Sequence, residues 1–415
     1  MSITSQLELT HTKTHFLAGL SNENRQKLVL DIAKGLEFST DKILEANLLD
    51  QKNLSDADPK KDRLKLNKER ISDLVFSLKQ VADLQDPVGQ VFLDKIMGNG
   101  LSIRKVTVPL GVVGIIYESR PNVTIDVSVL CLRSGNAVVL KGGKEAEHSN
   151  RALVSVIHKA LIQNNLPIEL VLLLPSDRSV VEELLKANRF VDVLIPRGSE
   201  TLIQYVRQNS LVPTIETGAG VVHIYVHKTA DLHKSLEIVV NAKTSRPSVC
   251  NALDCLLIDV SVCNKFLPPL GDLLKEFNVK IYADQKAHFA LNNSGYPFLF
   301  EASAADFGKE WLDFALTVKV VDGMESALSH ISRFSSRHSE AILAEDEEVC
   351  NRFLSEVDAA AVYSNASTRF TDGGEFGLGA EIGISTQKLH ARGPFALEKL
   401  VTEKWIVKGD GQIRT

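Results

Sequence analysis

Residues 111–141 read GVVGIIYESRPNVTIDVSVLCLRSGNAVVLK, and this stretch decides the fold. GVVGIIYE and AVVLK are short runs rich in β-branched residues, as in buried strands, while the apolar residues between them recur at helical spacing. Strand, helix and strand in this order predict parallel pairing through a crossover helix. The alternation continues to about residue 226, so we predict an open α/β domain with a parallel sheet, an architecture that often binds nucleotides.

The N-terminal side of this stretch predicts two other kinds of structure. Residues 15–85 have apolar side chains at spacings of three and four, as in RQKLVLDIAKGLEF, which indicates helices. Gly98-Asn99-Gly100 then separates two runs rich in β-branched residues, a pattern typical of a hairpin. Hairpins between domains often serve oligomerisation.

The C-terminal side predicts a second α/β domain. A strand over TIETGAGVVHIYV, residues 214–226, closes the first alternating region. From about Asp231 to Ser385 the alternation resumes, with a helix from Asp231 to Lys243 and strands at NALDCLLIDV, VKIYA and ALTVKVV. The tail, EKLVTEKWIVKGDGQIR, predicts one more exposed strand, which pairs either with the early hairpin or with another subunit.

Composition limits the possible functions. A chain of 415 residues is too long for one ordinary core, so we expect two or three domains. The net charge of -5 gives no basic surface for nucleic acid or an anionic membrane, which leaves small molecules as the expected partners. The N-terminal sequence has no signal peptide and no apolar run is long enough to span a bilayer, so we expect a cytoplasmic protein.

The cysteines show no pattern of disulfides or of metal binding. They contain no CxxC pair and no nearby histidine group, so the sequence predicts neither a disulfide framework nor a metal site. Cys131 and Cys255 lie in apolar runs and are interpreted as core residues. The five are Cys131, Cys250, Cys255, Cys263 and Cys350.

Cys250 is the candidate nucleophile. In AKTSRPSVCN, residues 242–251, a helix ends in polar residues and Pro247 forces the preceding residue into an extended conformation, so Cys250 falls on a turn. A thiolate is the reactive form of cysteine, and nearby cations such as Lys243 or Arg246 lower its pKa. From the residues alone, a catalytic thiol and an inert, partly buried one remain equally supported.

Two turns have the sequence of phosphate-binding sites. Lys141-Gly142-Gly143-Lys144 and Arg197-Gly198-Ser199 each follow a predicted strand and precede a helix, where backbone N–H groups bind anions. Neither is a GxGxxG or Walker motif, and an ordinary tight turn is the alternative for each. Two such turns after successive strands support a nucleotide site.

Other polar segments also follow predicted strands. Asn122, in Arg120-Pro121-Asn122, is able to donate its amide to an oxyanion, although helix capping is the simpler interpretation. Glu216 suits a general base or a contact to a cofactor ribose, or is a carboxylate in a plain turn. The segment from Asn365 to Ala380 has the small and polar residues of a substrate loop.

Together these motifs resemble the γ-glutamyl phosphate reductase family (glutamate-5-semialdehyde dehydrogenases) of the aldehyde dehydrogenase superfamily. The resemblance covers roughly Val108 to Arg414 and rests on strings found in order along the chain. They are IIYESRPNVT, VVLKGGKEAEHSN, VLIPRGSE, NAKTSRPSVCNAL, VYSNASTRFTDGGEFGLGAEIGISTQKLHARGP and KWIVKGDGQIR.

The resemblance implies an aldehyde-dehydrogenase-like α/β fold: two open α/β domains with parallel sheets and a small β oligomerisation element. Residues 1–95 and 109–222 would bind NADPH, residues 223–390 would carry the nucleophile, and residues 96–108 and 395–415 would form the oligomerisation hairpin and strand. The implied substrate is glutamyl 5-phosphate, and the implied assembly is a homo-oligomer. Glutamate 5-kinase, which makes that substrate, is a candidate partner.

The resemblance also implies roles for individual residues. Cys250 matches the nucleophile and Asn122 the oxyanion amide, and no metal is implied. Cofactor contacts fall on Lys141, Gly198, Ser199 and Glu310, while Glu216 matches the water-activating carboxylate of aldehyde-oxidising relatives. Val221-Val222 stand where reductases often have a Cys before the histidine at His223. Candidates for the substrate's charged groups, on composition alone, are Arg120, Lys243, Arg246, Arg369 and His390.

The implied reaction is NADPH-dependent reduction of the acyl phosphate through a thioester on Cys250, in proline biosynthesis. Two alternatives remain. One is a hydrolytic semialdehyde dehydrogenase that uses Glu216 as its base, and the other is a catalytically silent scaffold with the same fold.

Overall fold

The computed structural model describes residues 1–55 and 60–414, which divide into two compact units. The first unit comprises Met1–Thr217, Gly377–Gly383 and Leu389–Thr415, and the second Gly218–Phe376 and Ile384–Lys388. The helices of the described residues are α1 (Ile3–Lys13), α2 (His15–Ala18), α3 (Asn22–Gln51), α4 (Lys60–Leu64), α5 (Lys68–Asp83), α6 (Pro121–Arg133), α7 (Glu147–Gln163), α8 (Arg178–Leu185), α9 (Glu200–Asn209), α10 (Leu232–Thr244), α11 (Cys263–Lys275), α12 (Gln285–Asn293), α13 (Met324–Phe334) and α14 (Glu347–Glu356). The strands are β1 (Val91–Ile96), β2 (Ser102–Pro109), β3 (Val112–Tyr117), β4 (Ala137–Lys141), β5 (Val171–Leu173), β6 (Val193–Arg197), β7 (His223–Val226), β8 (Cys255–Asp259), β9 (Lys280–Ala283), β10 (Leu299–Glu301), β11 (Ala315–Val321), β12 (Ser339–Leu343), β13 (Ala361–Ser364), β14 (Gly383–Ser385), β15 (Gly393–Phe395) and β16 (Val401–Lys408).

The first unit is built on a parallel sheet in the order β5-β4-β3-β6. Every residue of β3 and β4 is buried, because both strands are covered on both faces, as continuous apolar runs predict. The predicted strand–helix–strand unit is therefore confirmed, with α6 as its crossover. Strand order makes β4, β3 and β6 neighbours, so the segments that follow their carboxyl ends lie at one edge.

The helices predicted for residues 15–85 are confirmed in the described part of this region, and residues 56–59 lie outside the described residues. Ser21 caps α3 by accepting the N–H of Asn24, and the apolar face of α3 packs against α5 and α7. In the first turn of α3, Arg25 forms an ion pair with Asp86 and donates to the Leu20 carbonyl oxygen at 2.6 Å. Among the described residues no helix is both long and apolar enough to span a membrane.

A separate antiparallel sheet has the order β1-β2-β16. The predicted hairpin connects β1 to β2, and Gly100 adopts a φ of 88° in its turn, a conformation open to glycine. The tail strand β16 pairs along all of β2, from Val401 opposite Pro109 to Lys408 opposite Ser102. The tail strand was predicted to pair with the early hairpin or with another subunit. In this structure it pairs with the hairpin.

The second unit contains a parallel sheet in the order β10-β9-β11-β8-β7-β12-β13. Its central strand β8 is wholly buried and lies between β11 and β7. Asp231 caps α10 by accepting the N–H groups of His233 and Lys234, so the predicted helix is confirmed within one residue at each end.

One predicted strand is wrong. Residues 214–226 form a strand only from His223 to Val226, and Thr214 makes an isolated bridge to Leu194. The intervening residues form a loop because Gly218 and Gly220 leave them without side chains that a pleated sheet would pack.

Candidate active site

Cys250 lies on the turn between α10 and β8, as predicted, and is half-buried. The backbone of Gly220 packs against this turn so closely that an added Cβ would overlap the carbonyl oxygen of Cys250. The N–H of Gly220 donates to Oε1 of Glu310 at 2.8 Å. Cys250, Gly220 and Glu310 precede the adjacent strands β8, β7 and β11, so the amino edge of this sheet brings them together.

Asn251 fixes the position of the loop that carries Arg369. Its Nδ2 donates to the carbonyl oxygens of Thr371 at 2.9 Å and Arg369 at 3.3 Å. The Arg369 guanidinium in turn donates to Oδ1 of Asn251 and, at 3.2 Å, to Oγ of Ser245. Hydrogen bonds from both sides therefore hold Arg369 beside the Cys250 turn.

The electrostatics around Arg369 favour an anion. Burial and the nearby cation Arg246 lower the pKa of Arg369, whereas Asp372 and the thiolate form of Cys250 raise it. Two guanidinium groups close enough to disfavour each other's charge would be stabilised by a bound anion. Arg246 itself is exposed.

Lys243, a candidate for the substrate's charged groups, is buried away from solvent. Its side chain is fully buried, and Nζ donates to the carbonyl oxygen of Leu253 at 2.9 Å. Burial lowers the pKa of Lys243 and raises that of the neighbouring Asp254. The substrate contact suggested for Lys243 is therefore corrected to a structural contact behind the turn.

In the first unit, Asn122 is the second residue of α6. The N-cap position belongs to Arg120 and has no side-chain cap, so the capping interpretation of Asn122 is wrong. Instead, Nδ2 of Asn122 donates to Oδ2 of Asp126, one turn further along, at 3.1 Å. Burial raises the pKa of Asp126 to about 6, although Asn122 and Arg197 act in the opposite direction.

Lys141 ends β4 beside an open cleft. It is only 6% exposed, and Nζ donates to the carbonyl oxygens of Ser176 at 2.9 Å and Gly142 at 3.1 Å. Gly142 lets the chain pass Asn150, whose side chain an added Cβ would overlap. The cleft, of about 290 Å³, is lined by Gly142, Gly143, Glu147, Asn150, Arg151 and Ser176 among others.

The turn at Gly198-Ser199 already holds a carboxylate. Ser199 caps α9 by accepting the N–H of Leu202, and its own N–H donates to Oε2 of Glu118 at 2.9 Å. Glu118 thus lies at the helix N-terminus, the place where an anion is expected to bind. A phosphate that bound there would have to displace Glu118.

Two other candidates also lie in the first unit, whereas Cys250 belongs to the second. Glu216 lies 3.6 Å from Nε of Arg207. The ring of His390 is within hydrogen-bond distance of the Lys399 carbonyl oxygen, 2.7 Å from Nε2.

Three residues that orient the site were not predicted from the sequence. The partners of Asn251 and Glu118 are distant in sequence, so no local pattern indicates them. Asp126 follows Asn122 by four residues, a helical spacing that the sequence does show.

Comparison with known proteins places the chain in a family. The model of the aldehyde dehydrogenase family matches residues 10–293. A curated γ-glutamyl phosphate reductase of Legionella pneumophila subsp. pneumophila (strain Philadelphia 1) is 51% identical over 415 residues, covering 100% of this chain and 99% of the relative. The chain belongs to the γ-glutamyl phosphate reductase family.

Solved structures agree with this assignment. The crystal structure of γ-glutamyl phosphate reductase from Thermotoga maritima has a TM-score of 0.94 and 40% sequence identity, with 100% of both chains covered. Glyceraldehyde-3-phosphate dehydrogenase GapN from Methanocaldococcus jannaschii, complexed with NADP, has a TM-score of 0.72 at 16% identity, covering 98% of this chain and 94% of that one. The second likeness supports the fold alone, and both confirm the predicted aldehyde-dehydrogenase-like architecture of the γ-glutamyl phosphate reductase family.

Proposed function

We propose that this chain reduces L-glutamyl 5-phosphate to L-glutamate 5-semialdehyde with NADPH, the reductive step of proline biosynthesis from glutamate. Family membership supports the reaction, and the half-buried Cys250 on the turn before β8 is the observation that carries the mechanism. The thiolate attacks the acyl carbon, the bond from that carbon to the phosphate oxygen breaks, and phosphate leaves. The product is a thioester on Cys250.

The cofactor, when bound, supplies the hydride that reduces this thioester. The oxyanion formed on the former carbonyl needs hydrogen-bond donors, for which we propose the backbone N–H of Cys250 and, from the family resemblance, the amide of Asn122. The carbon–sulfur bond then breaks, releasing the aldehyde and returning the thiolate. The bond from Asn122 to Asp126 supports this role, because it uses one N–H of the amide and fixes the direction of the other.

The anionic groups of the substrate suit Arg246 and Arg369. Both lie on segments next to Cys250. The guanidinium of Arg369 is oriented by its hydrogen bond to Oδ1 of Asn251. Arg120 and His390 remain candidates from composition. Arg369→Met is expected to raise KM for phosphate in the reverse reaction, whereas Lys243→Met should act on stability, which thermal unfolding measures.

For the cofactor we propose NADPH, held in the first unit. Lys141 ends β4, and Gly198 and Ser199 follow β6, so the three lie at the carboxyl edge of one sheet, which is where open α/β sheets bind ligands. Arg151 lines the cleft beside Lys141, where it pairs with Glu147 at 2.5 Å, and we propose it as a contact to a 2′-phosphate. NADP in the GapN structure, a relative in fold, agrees with this choice. In the second unit, Glu310 is the proposed contact to the nicotinamide ribose.

We also propose a homo-oligomer that uses the sheet β1-β2-β16. Large apolar side chains are exposed on it, and such patches mark interfaces. They include Phe92, Ile96, Trp405 and Val407. Docking of glutamate 5-kinase stays a prediction from the family resemblance.

The reverse reaction tests the function. Purified protein with glutamate 5-semialdehyde and NADP⁺ should form NADPH only when inorganic phosphate is added, and Cys250→Ser should abolish the signal. Turnover without phosphate would instead indicate the hydrolytic dehydrogenase, in which Glu216 is the base. No turnover in a folded sample, together with no labelling of Cys250 by a thiol reagent, would indicate the silent scaffold.

A further inference from the structure

A second cluster of chemically reactive side chains lies in the core of the second unit. His223 begins β7, Cys255 begins β8 directly opposite it, and His330 projects from α13. Their exposures are 0%, 1% and 4%, and one ligand atom from each lies within 4.8 Å of the others. The reaction proposed above uses none of the three.

We propose that His223, Cys255 and His330 form a buried site for a borderline divalent cation of the zinc type. Two imidazole nitrogens and a thiolate are ligands that zinc and cobalt prefer. The Sγ atom of Cys255 lies 3.7 Å from Nε2 of His330. Two ligands of one tetrahedral zinc ion, with Zn–N of about 2.1 Å and Zn–S of about 2.3 Å, are separated by roughly 3.6 Å. Water or another small ligand would complete the tetrahedron.

A buried ring nitrogen of His223 points to a ligand at this cluster. Its Nε2 is buried and has no hydrogen-bond partner, although such atoms are normally satisfied. Its Nδ1 lies 3.1 Å from a carboxylate oxygen of Glu340, which also accepts the His223 backbone N–H at 2.9 Å. A carboxylate accepts only, so Nδ1 donates and Nε2 is left to bind a cation, the arrangement common behind metal-binding histidines.

A proton on His223 and the side chain of Lys319 compete with the cation for this site. Burial opposes the charged form of His223, but Glu340 and Cys255 outweigh it and raise the pKa of this histidine to about 10, so a proton competes with the cation. Lys319 places Nζ 3.2 Å from Nδ1 of His330, and a ligating His330 carries a proton on that nitrogen. The half-buried lysine must therefore withdraw when the cation binds, which predicts tighter binding once it is removed.

Cobalt titration of the full-length protein tests the site. The Cys250→Ser variant serves as background, because it lacks the half-buried thiol, the most accessible of the five. We expect one Co²⁺ per chain, with a thiolate-to-cobalt charge-transfer absorption that Zn²⁺ abolishes. Adding Cys255→Ser should remove the absorption and weaken binding by about tenfold or more, and Glu340→Gln should weaken it by roughly 10–100-fold.

Matched variants separate the site from adventitious binding. Cys263→Ser removes another buried thiol, outside the cluster, and should leave the absorption unchanged. Lys319→Met removes no ligand and should tighten binding, so it tests the proposal even if Cys255→Ser fails to fold, which circular dichroism would show. An absorption that survives Cys255→Ser, or no absorption at millimolar Co²⁺ in either wild type or Lys319→Met, would overturn the proposal and leave an imidazolium–thiol pair.

Discussion

At the residue scale, the proposed chemistry depends on one short hydrogen-bonding chain in each unit. In the second unit Asn251, next to the nucleophile, holds Arg369 from both its backbone and its side chain. In the first unit Asp126 holds the amide of Asn122. Both contacts orient a group without reacting themselves.

Asn122→Ala tests the oxyanion role. Loss of one such donor costs about 10²–10³ in turnover, and a similar loss is expected here, with little change in thermal unfolding because the side chain makes only one local bond. Steady-state kinetics in the reverse direction measures it. Unchanged turnover would remove Asn122 from the mechanism.

Asp126→Asn tests the half-buried carboxyl that holds Asn122. Its pKa is raised to about 6, so the fold favours the neutral form; the contribution to stability is complete below about pH 4 and is lost as the pH rises through 6. The variant keeps an acceptor for Asn122 and carries no charge. It should therefore raise the free energy of unfolding at pH 8 by about 1–3 kcal/mol and change it little at pH 4. Urea unfolding at both values measures this, and equal effects would contradict it.

The sequence predicts the local features of the site but not the contacts between residues that are distant along the chain. Cys250 was placed on its turn because Pro247 and the flanking polar residues act locally. Asn251 and Arg369 are 118 residues apart, so nothing local indicates their contact. The same holds for His223, Cys255 and His330, which only the sheet register and helix packing bring together.

At the scale of elements, neighbouring strand ends assemble the groups of each unit. Strands β3, β4 and β6 were predictable because buried parallel strands are continuous apolar runs. Strand β12, Ser339–Leu343, was not, since buried polar residues such as Glu340 interrupt its pattern. The strand predicted over residues 214–226 is too long because β-branched residues lie on both sides of Gly218 and Gly220, where the chain forms a loop.

Gly220→Ala tests the close approach of the β7 loop to the nucleophile. The new Cβ would overlap the carbonyl oxygen of Cys250, so the turn must shift. A displacement of about 1 Å at a reacting group costs about 10²-fold in rate, and we expect a loss of that order in turnover. Gly98→Ala is the control, because space around it is open and its φ is not positive. Equal activities of the two variants would contradict the account.

At the scale of the whole molecule, the described residues form two units, each with its own parallel sheet and core, together with the antiparallel sheet β1-β2-β16 and the two-stranded sheet β14-β15. Length and the alternation of periods predicted this architecture, and family comparison confirms it. Assembly was not readable from one sequence, because exposed apolar residues are recognised as a patch only after the strands are paired.

Trp405→Asp tests the proposed oligomer. Trp405 is 56% exposed on β16, and a charge there should weaken association through the sheet and lower the mass seen in sedimentation. Phe38→Asp, at a site 95% exposed on α3, is the matched control and should leave the mass unchanged. A wild-type monomer would refute the proposal directly.

The central claim is that the acyl group passes through a thioester on Cys250 that phosphate, and not water, resolves. Mixing the enzyme with glutamate 5-semialdehyde and NADP⁺ in the absence of phosphate should produce one NADPH per chain and then stop, with the acyl group found on Cys250 by mass spectrometry. Adding phosphate should restart turnover and remove the label. Continued turnover without phosphate, or a label that remains in Cys250→Ser, would contradict the account.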